Sequence, residues 1–555
     1  MTRVSLFATL LLVVFSACKT ARPTVSENTR KPFFWENANV YFMMTDRFFN
    51  GNPKNDVNFA RTQPAATLRG FMGGDINGIT QKLEEGYFDR LGITAIWFTP
   101  VLEQNHGLVD EGSGVTYGFH GYWTQDWTQL DPNFGTEKDL AQLVDKAHKR
   151  GIRVIMDVVI NHTGPVTAQD PVWTDWVRTE PQCKYDSYES TITCTLVKNL
   201  PDVKTEINTP VNIPPSLAAK WKKEGRYKQE MAELDAFFQR TGYPRAPRYF
   251  FIKWLTDYVR KYGIDGYRCD TAKHIEETVW AELRKEADLA FADWKKNNPR
   301  KVLDNNAFYM VGEVYNYQIS SGREFNFGDK KVDFYNNGFN SLINFDLKSD
   351  AVNSYENVFA KYSTLLNGPL KGKSVLNYMS SHDDGAPFDA KRMKPMETAT
   401  KLLLCPGAAQ IYYGDETGRS LSIAGAEGDA KLRSFMNWDE LAANTERNGV
   451  KTQDVLVHWQ KLGSFRHAHP AVGAGVHTML SNKPYTFKRI FQSGAYRDAV
   501  VVGIDLPKGE KTINTQDVFP EGTVLQDYYS GQQVTVKDGK VVVNSDFGTV
   551  LLGVF

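Results

Sequence analysis

Between about residue 40 and residue 470, short apolar runs rich in β-branched and aromatic residues alternate with longer stretches whose apolar positions recur every three or four residues. The runs at 40–44, 94–99, 154–160, 266–269, 310–314, 342–345, 375–379 and 410–413 lack a polar face, as strands buried on both sides do. The stretches at 138–149, 250–262 and 278–295 have helical period. Strand–helix alternation at this scale predicts an α/β chain folded as a (β/α)8 TIM barrel, with 342–345 the faintest of its strands. One interval is too long: Asp157 and Asp270 stand about 110 residues apart, where one strand–helix unit takes a few dozen. The excess predicts a small domain, 163–247, inserted after the third strand, with the barrel carried by 35–162 and 248–471. Beyond 472 the helical period disappears. Runs at 499–504, 523–528 and 540–543 sit between Gly-containing turns and predict a C-terminal antiparallel β-sandwich domain, 472–555.

Charge removes one class of function. The 555 residues carry 65 Lys+Arg and 65 Asp+Glu, which excludes a surface field directed at nucleic acid. Aromatic residues, at 13%, serve a large core and could also offer ring faces to sugars. At the N-terminus, Arg3 precedes a mostly apolar run, 4–17, too short to span a bilayer comfortably and suited to a signal-peptide core. A signal peptide, 1–17, followed by a polar tether, 18–34, predicts an exported protein. FSAC, ending at Cys18, resembles a bacterial lipoprotein cleavage box and implies a lipid anchor on Cys18, in the periplasm or at the outer membrane. Phe15 departs from the usual Leu of that box, so plain secretion is the alternative. Export permits disulfides, and Cys183 and Cys194, in a polar irregular segment, are expected to pair. Cys269 and Cys405 fall in apolar runs and are expected as buried thiols.

In a barrel, the C-terminal ends of the strands carry function. The third strand ends DVVINH (Asp157, Asn161, His162), the fourth GYRCDTAKH, the fifth GEVY (Glu313) and the seventh SSHDD (His382, Asp383). Arg268 and Asp270, two apart on extended chain, face one side. An Arg so placed keeps a buried carboxylate ionised. Three carboxylates, Asp270, Glu313 and Asp383, thus converge on one mouth. An ionised carboxylate facing a protonated one is the equipment of retaining glycoside hydrolysis.

These motifs, with LPDVKTE, resemble the α-amylase family of glycoside hydrolases in order and spacing, from about Phe33 into the C-terminal β domain. The resemblance implies Asp270 as nucleophile, Glu313 as acid/base and Asp383 as transition-state stabiliser. It places Arg268, His162 and His382 around the cleaved glucose unit, Tyr122 stacked under it, and Lys273 and His274 on the leaving-group side. Asp157 is expected to hold Arg268, and Asp415 and Glu416 to be structural. Two Ca²⁺ sites are implied: Asn161, Asp202 and the backbone of His274 for one, and Asn50, Asn52, Asn55, Asp56, Gly73 and Asp75 for the other, with hard oxygen ligands in both. LPDV resembles that of endo-acting α-1,4 enzymes, and the insert that of periplasmic α-amylases. The expected activity is endo-hydrolysis of α-1,4 bonds in starch or maltodextrin by a monomer. The alternatives are a 4-α-glucanotransferase and a non-catalytic glycan-binding subunit on the same scaffold. α-Glucan oligo- and polysaccharides are the expected partners; nucleic acid is not, and the membrane is met only through Cys18.

Overall fold

The computed structural model describes residues 32–555; the apolar run 4–17, Cys18 and the polar stretch 19–31 lie outside the described residues. Eight parallel strands pair in chain order and close on themselves: β1 (Asn39–Met43), β2 (Ala95–Phe98), β3 (Arg153–Val158), β4 (Gly266–Cys269), β5 (Tyr309–Gly312), β6 (Ser341–Asn344), β7 (Ser374–Asn377) and β8 (Ala408–Tyr412), with β8 paired to β1. All their residues are buried, which is why the sequence shows apolar runs and no alternation. Several strands end one or two residues before the apolar runs do. In the third, Val159–His162 leave the ladder and turn into the mouth of the barrel.

The helices α1 (Ile76–Glu84), α2 (Glu137–Lys149), α3 (Pro247–Tyr262), α4 (Glu277–Asn297), α5 (Tyr355–Asn367), α6 (Pro395–Leu403) and α7 (Thr452–Ala468) follow β1, β2, β3, β4, β6, β7 and β8. Local chemistry sets their ends. Thr136 and Asp139 form a reciprocal capping box before α2, and Pro247 opens α3 while left-handed Gly263 closes it. The β5–β6 connection departs from strict alternation. It carries the 3-10 turns Ile319–Ser321 and Phe334–Asn337, and its Gly322, Gly328 and Gly338 all take positive φ, which breaks helical continuity.

The long segment after β3 holds a two-stranded pairing of Val177–Arg178 with Asp202–Val203, the Cys183–Cys194 disulfide, and the helices Pro215–Lys223 and Tyr227–Thr241. The Val203 amide donates to the Asn161 carbonyl at 2.8 Å, fastening this segment to the end of the third strand. Cys269 and Cys405 are buried and free.

After α7 come β9 (Val476–Asn482), β10 (Tyr485–Ser493), β11 (Tyr496–Ile504), β12 (Gly509–Asn514), β13 (Val524–Asp527), β14 (Gln533–Thr535), β15 (Lys540–Ser545) and β16 (Val550–Gly553). Six form an antiparallel sheet in the order β9-β10-β11-β16-β13-β14, while β12 and β15 form a separate pair. Along β12 and β15 buried and exposed positions alternate, so Ile513, Val541 and Val543 turn inward onto Val501, Leu525, Val550 and Leu552 of the larger sheet. Arg489 of β10, fully buried, donates to the Leu404 carbonyl (2.6 Å) beyond α6 and to the Val472 carbonyl, binding the sheet to the barrel.

The backbone of α7 lies directly against the turn before β2. A Cβ on Gly463 would sit 2.1 Å from the Leu91 carbonyl oxygen, and one on Gly92 would sit 2.3 Å from the Gly463 carbonyl oxygen. The buried Asn39 Nδ2 bridges the carbonyls of Gly92 (2.8 Å) and Gly463 (3.1 Å). In an open helix, Gly→Ala gains about 1 kcal/mol of helix propensity. Here Gly463→Ala is expected to destabilise instead, by about 1–3 kcal/mol as overpacking does. A urea midpoint at or above the parent's would contradict this close approach.

Candidate active site

Arg268, on β4, lies opposite Asp157 of β3 and Val311 of β5 in the ladder. Its buried guanidinium meets three carboxylates. Nη1 donates to Asp270 Oδ1 (2.6 Å) and Asp157 Oδ1 (3.0 Å), and Nη2 stands 3.0 Å from Glu313 Oε2. Asp157 also accepts from Trp97 Nε1 (3.0 Å) and Tyr122 Oη (2.9 Å). The Thr271 amide donates to Glu313 Oε2 at 2.9 Å. Thr271 reaches it at φ +48°, a left-handed conformation that a β-branched residue adopts only when its surroundings impose it.

Burial is the largest influence on the protons here. It lifts Glu313 to about 8, and the charges of Asp270 and Asp383 add to the rise while Arg268 opposes it. Burial likewise raises Asp157, against Arg268, Trp97 and Tyr122. It pushes His120, His162, His274 and His382 below the usual histidine value. These imidazoles are therefore neutral near pH 7 and act as hydrogen-bonding groups.

Around this core the Tyr122 and His382 rings stack at 5.3 Å, and His162 Nε2 lies 3.0 Å from the Tyr122 carbonyl. His120 Nδ1 accepts from the Tyr122 amide and so positions that ring. Asp383 is more open, with its side chain 40% exposed and Oδ2 3.4 Å from His382 Nε2. Its neighbour Asp384 turns elsewhere, to Lys348 and Tyr378. His274 is held by Nδ1 at 3.1 Å from the Thr191 carbonyl. Lys273 Nζ lies 5.7, 5.2 and 5.6 Å from the rings of Tyr185, Tyr315 and Phe325. Asp415 pairs with Arg392 (2.6 Å), and Glu416 accepts from Tyr41 and Tyr87, both inside the fold.

Four contributors were missed from sequence. Trp97, next to last in β2, stacks on Phe42 at 3.7 Å while bonding Asp157, yet it reads as one more apolar position. Arg433 donates to the His382 carbonyl from a loop without a motif. Tyr185 and Tyr315 are exposed beside Lys273. An aromatic residue two positions after Glu313 was the one available signal for Tyr315.

The residues expected to hold calcium suit a hard cation. Asn50 Oδ1 and Asn55 Oδ1 are buried without a hydrogen-bond partner, and a Cβ on Gly73 would run into Asn50 Nδ2 and Asp56 Oδ1. Asn52 caps the adjacent 3-10 turn. Asp75 caps α1 and accepts the Gly51, Asn52 and Gly78 amides, so both shape the loop. At the other site Glu276 Oε1 is buried without a hydrogen-bond partner, Asp202 Oδ2 forms an ion pair with Arg178 Nε at 3.1 Å, and burial carries Asp202 up to about 9 against that charge. Among the described residues no cluster of three His, Cys, Asp or Glu side chains suits a metal, so amide and carbonyl oxygens would complete either shell.

A family model, "Alpha amylase, catalytic domain", matches residues 42–475. The periplasmic alpha-amylase of Escherichia coli (strain K12) is 35% identical over 521 residues, covering 83% of this chain and 71% of that protein. A cyclomaltodextrin glucanotransferase of Geobacillus stearothermophilus is 26% identical over 560 residues, 97% of this chain and 68% of that one. The solved alpha-amylase from Geobacillus thermoleovorans complexed with acarbose has the same fold, with a TM-score of 0.62 at 22% identity over 94% of this chain and 99% of that one.

Replacing Arg268 with Met would leave Asp157, Asp270 and Glu313 buried without their cation. A loss of about 3–5 kcal/mol is expected at pH 7, as when one partner of a buried ion pair is removed. Burial already makes Asp157 and Glu313 hold their protons more tightly folded than unfolded, and loss of the guanidinium strengthens that hold. The deficit should therefore widen as pH rises through about 7 to 8, where these two acids ionise with the arginine present, and narrow below that range. Urea unfolding across that range reads both effects; a deficit independent of pH would mean that the arginine does not hold the cluster.

Proposed function

The chain belongs to the α-amylase family of glycoside hydrolases, and from that premise we propose that it hydrolyses internal α-1,4-glucosidic bonds of starch and maltodextrins with retention of configuration. The observation that carries this reading is one guanidinium with Asp270 on one terminal nitrogen and Glu313 on the other. A planar fork loaded in this way keeps two carboxyl groups a few ångströms apart, in keeping with the roughly 5–5.5 Å that double displacement requires.

Asp270, hydrogen-bonded by Arg268, attacks the anomeric carbon. Glu313, whose proton is held by burial and by the charges of Asp270 and Asp383, gives it to the departing glycosidic oxygen. A glucosyl–Asp270 ester results. Water then enters, Glu313 takes its proton, and the ester breaks with a second inversion at the same carbon. Asp383 stabilises the positive charge that develops on the ring. His382 hydrogen-bonds its hydroxyls, His162 lies beside it with its one ring proton on the Tyr122 carbonyl, and Tyr122 packs under it. Lys273 and His274 meet the leaving sugar, with the exposed rings of Tyr185 and Tyr315 beside them. Those rings favour transfer to a sugar acceptor as the second reading, since the same ester serves both outcomes. The intact acids and their shared arginine argue against a non-catalytic scaffold.

Calcium, when bound, supplies fixed positive charge that ties loop to barrel. Asn161, Asp202 and the His274 backbone would hold one ion between the inserted segment and the third strand. Asn50, Asn55, Asp56 and Gly73 would hold another, with Asn52 and Asp75 setting that loop. The similarity to a periplasmic enzyme supports export, and Cys18 is the proposed anchor.

Asp270→Ala should abolish reducing-sugar release from starch with the circular dichroism spectrum unchanged, and Glu313→Gln should lower kcat by about 10²–10⁴. Product sizes from maltoheptaose would separate the readings, with shorter maltooligosaccharides for endo-hydrolysis and products longer than seven units for transfer. A wild-type protein that binds starch but releases no sugar would replace both with the scaffold reading.

Activity should fall as pH rises through the raised Glu313 value, because the acid is then lost. Asp383→Asn removes a charge that holds this proton, so in its residual kcat/KM profile the alkaline limb should move to lower pH. A limb fixed in place would show that Asp383 does not act on Glu313.

Calcium added to chelator-treated protein should raise the unfolding temperature, with about 2.7 kcal/mol gained at a hundredfold excess over Kd. Asn50→Ala/Asp56→Ala and Asp202→Ala should each remove part of that gain. No calcium-dependent shift in the parent would overturn both sites.

A further inference from the structure

The Cys183–Cys194 disulfide spans 11 positions of the inserted segment, and the loop it closes reaches the leaving-group side of the mouth in two places. The Thr191 carbonyl stands 3.1 Å from His274 Nδ1. The Tyr185 ring lies edge-on to His274 at 5.8 Å and has Lys273 Nζ at 5.7 Å. Tyr185 is 51% exposed and sits at φ +58°, a left-handed conformation that a bulky residue holds only when the surrounding chain imposes it. The tip of the loop is moored elsewhere. The Tyr188 amide donates to Asp329 Oδ1 (2.8 Å) and its hydroxyl to Glu277, while Phe327 and Lys330 cover its ring. At the base, the disulfide is joined by two backbone bonds, Cys183 amide to Thr195 carbonyl (3.0 Å) and Thr195 amide to Pro181 carbonyl (2.8 Å). Opening the disulfide would leave Tyr185 and Thr191 on a polar, largely exposed loop with many more conformations open to it.

The bond is placed for exchange with a thiol. Cys183 is half-buried between exposed Gln182 and Lys184, whereas Cys194 is 3% exposed. A cavity of about 230 Å³ opens beside Cys194 among Lys184, Ser187, Glu189 and Thr193. Cys194 Sγ lies 3.0 Å from the Ser190 carbonyl oxygen, an acceptor for its proton once the bond opens. Cys269 and Cys405 are fully buried, which confines exchange to this pair among the described residues. A dithiol reductant would attack Cys183 Sγ as its thiolate, forming a mixed disulfide as Cys194 leaves as thiolate and takes up a proton. The second thiolate of the reductant then displaces Cys183, which is protonated in turn. Both cysteines end as thiols and the reductant departs as its own disulfide.

We propose that the Cys183–Cys194 bond sets how firmly the enzyme holds the leaving or accepting sugar, and that its reduction slackens that hold while leaving Asp270 and Glu313 unaltered. The consequence for a glucan rests on the proposed function; the attachments of the loop do not. Reduced protein would cleave long chains less efficiently and transfer less to sugar acceptors.

The test compares two substrates of the full chain with calcium in excess. Maltoheptaose needs its leaving sugar bound, whereas α-maltotriosyl fluoride, whose leaving group is fluoride, does not. Cys183→Ser/Cys194→Ser should lower kcat/KM for maltoheptaose several-fold, chiefly through KM, and reduce the share of transfer products, with hydrolysis of the fluoride unchanged. Dithiothreitol should do the same to the parent, reversibly on reoxidation, and nothing further to the serine variant, which guards against a folding defect. Tyr185→Ala should lower kcat/KM for maltoheptaose by a similar factor, and the combined variant no further, since the two act through one loop. Equal losses on both substrates would mean that the bond supports the fold alone. Unchanged kinetics on maltoheptaose, or losses that add with Tyr185→Ala, would separate the bond from the leaving sugar. Each of these results would overturn the inference and leave the glucan reading intact. A parent that acts on neither substrate would overturn the proposed function instead.

Discussion

The site depends on one positive charge buried among three negative ones. Taking Arg268 and its carboxylates out of water is costly, and only close, shared hydrogen bonds offset that cost. The barrel supplies the required rigidity: β3, β4 and β5 are consecutive strands, so Asp157, Arg268 and Glu313 are brought together by ladder register. Trp97 and Tyr122 then fix Asp157 from the other side, leaving the guanidinium little freedom to turn. Because one arginine serves three acids, negative charge is in excess, and the surplus falls on Glu313, whose proton is held by burial and by the charges of Asp270 and Asp383. The same imbalance that threatens stability thus keeps a proton available near neutrality.

The remainder of the molecule braces that arrangement. The inserted segment is fastened to the third strand through Val203 and carries its own disulfide, so the Tyr185 loop is constrained where it overhangs Lys273. The C-terminal sheet has its own apolar core and contacts the barrel through Arg489, which satisfies carbonyls past the end of α6. Histidines kept neutral by burial line the mouth without adding cations that would pull the Glu313 proton away.

Much of this was legible in the chain. Buried parallel strands leave continuous apolar runs, and all eight were found because nothing else in an α/β protein produces such a pattern at that spacing. Asp270 and Arg268 could be placed on one face from period two alone. The strand ends were less clear, since Val159 and Ile160 are as apolar outside the ladder as they would be in it. Strict alternation expects a helix between β5 and β6, and the positive-φ glycines of that link prevent one. Trp97 and Arg433 escaped notice for a different reason. Their roles lie in contacts between residues remote in sequence, and neither residue type nor local spacing marks such contacts.

The central claim is that Asp270 and Glu313 act on one linkage through two successive displacements. Proton NMR of freshly cleaved maltoheptaose, recorded before mutarotation, tests it most directly. The account predicts that the newly formed reducing ends appear first as the α-anomer and equilibrate afterwards. New ends appearing first as the β-anomer would mean a single displacement by water, and the roles given to the two carboxyl groups would be wrong.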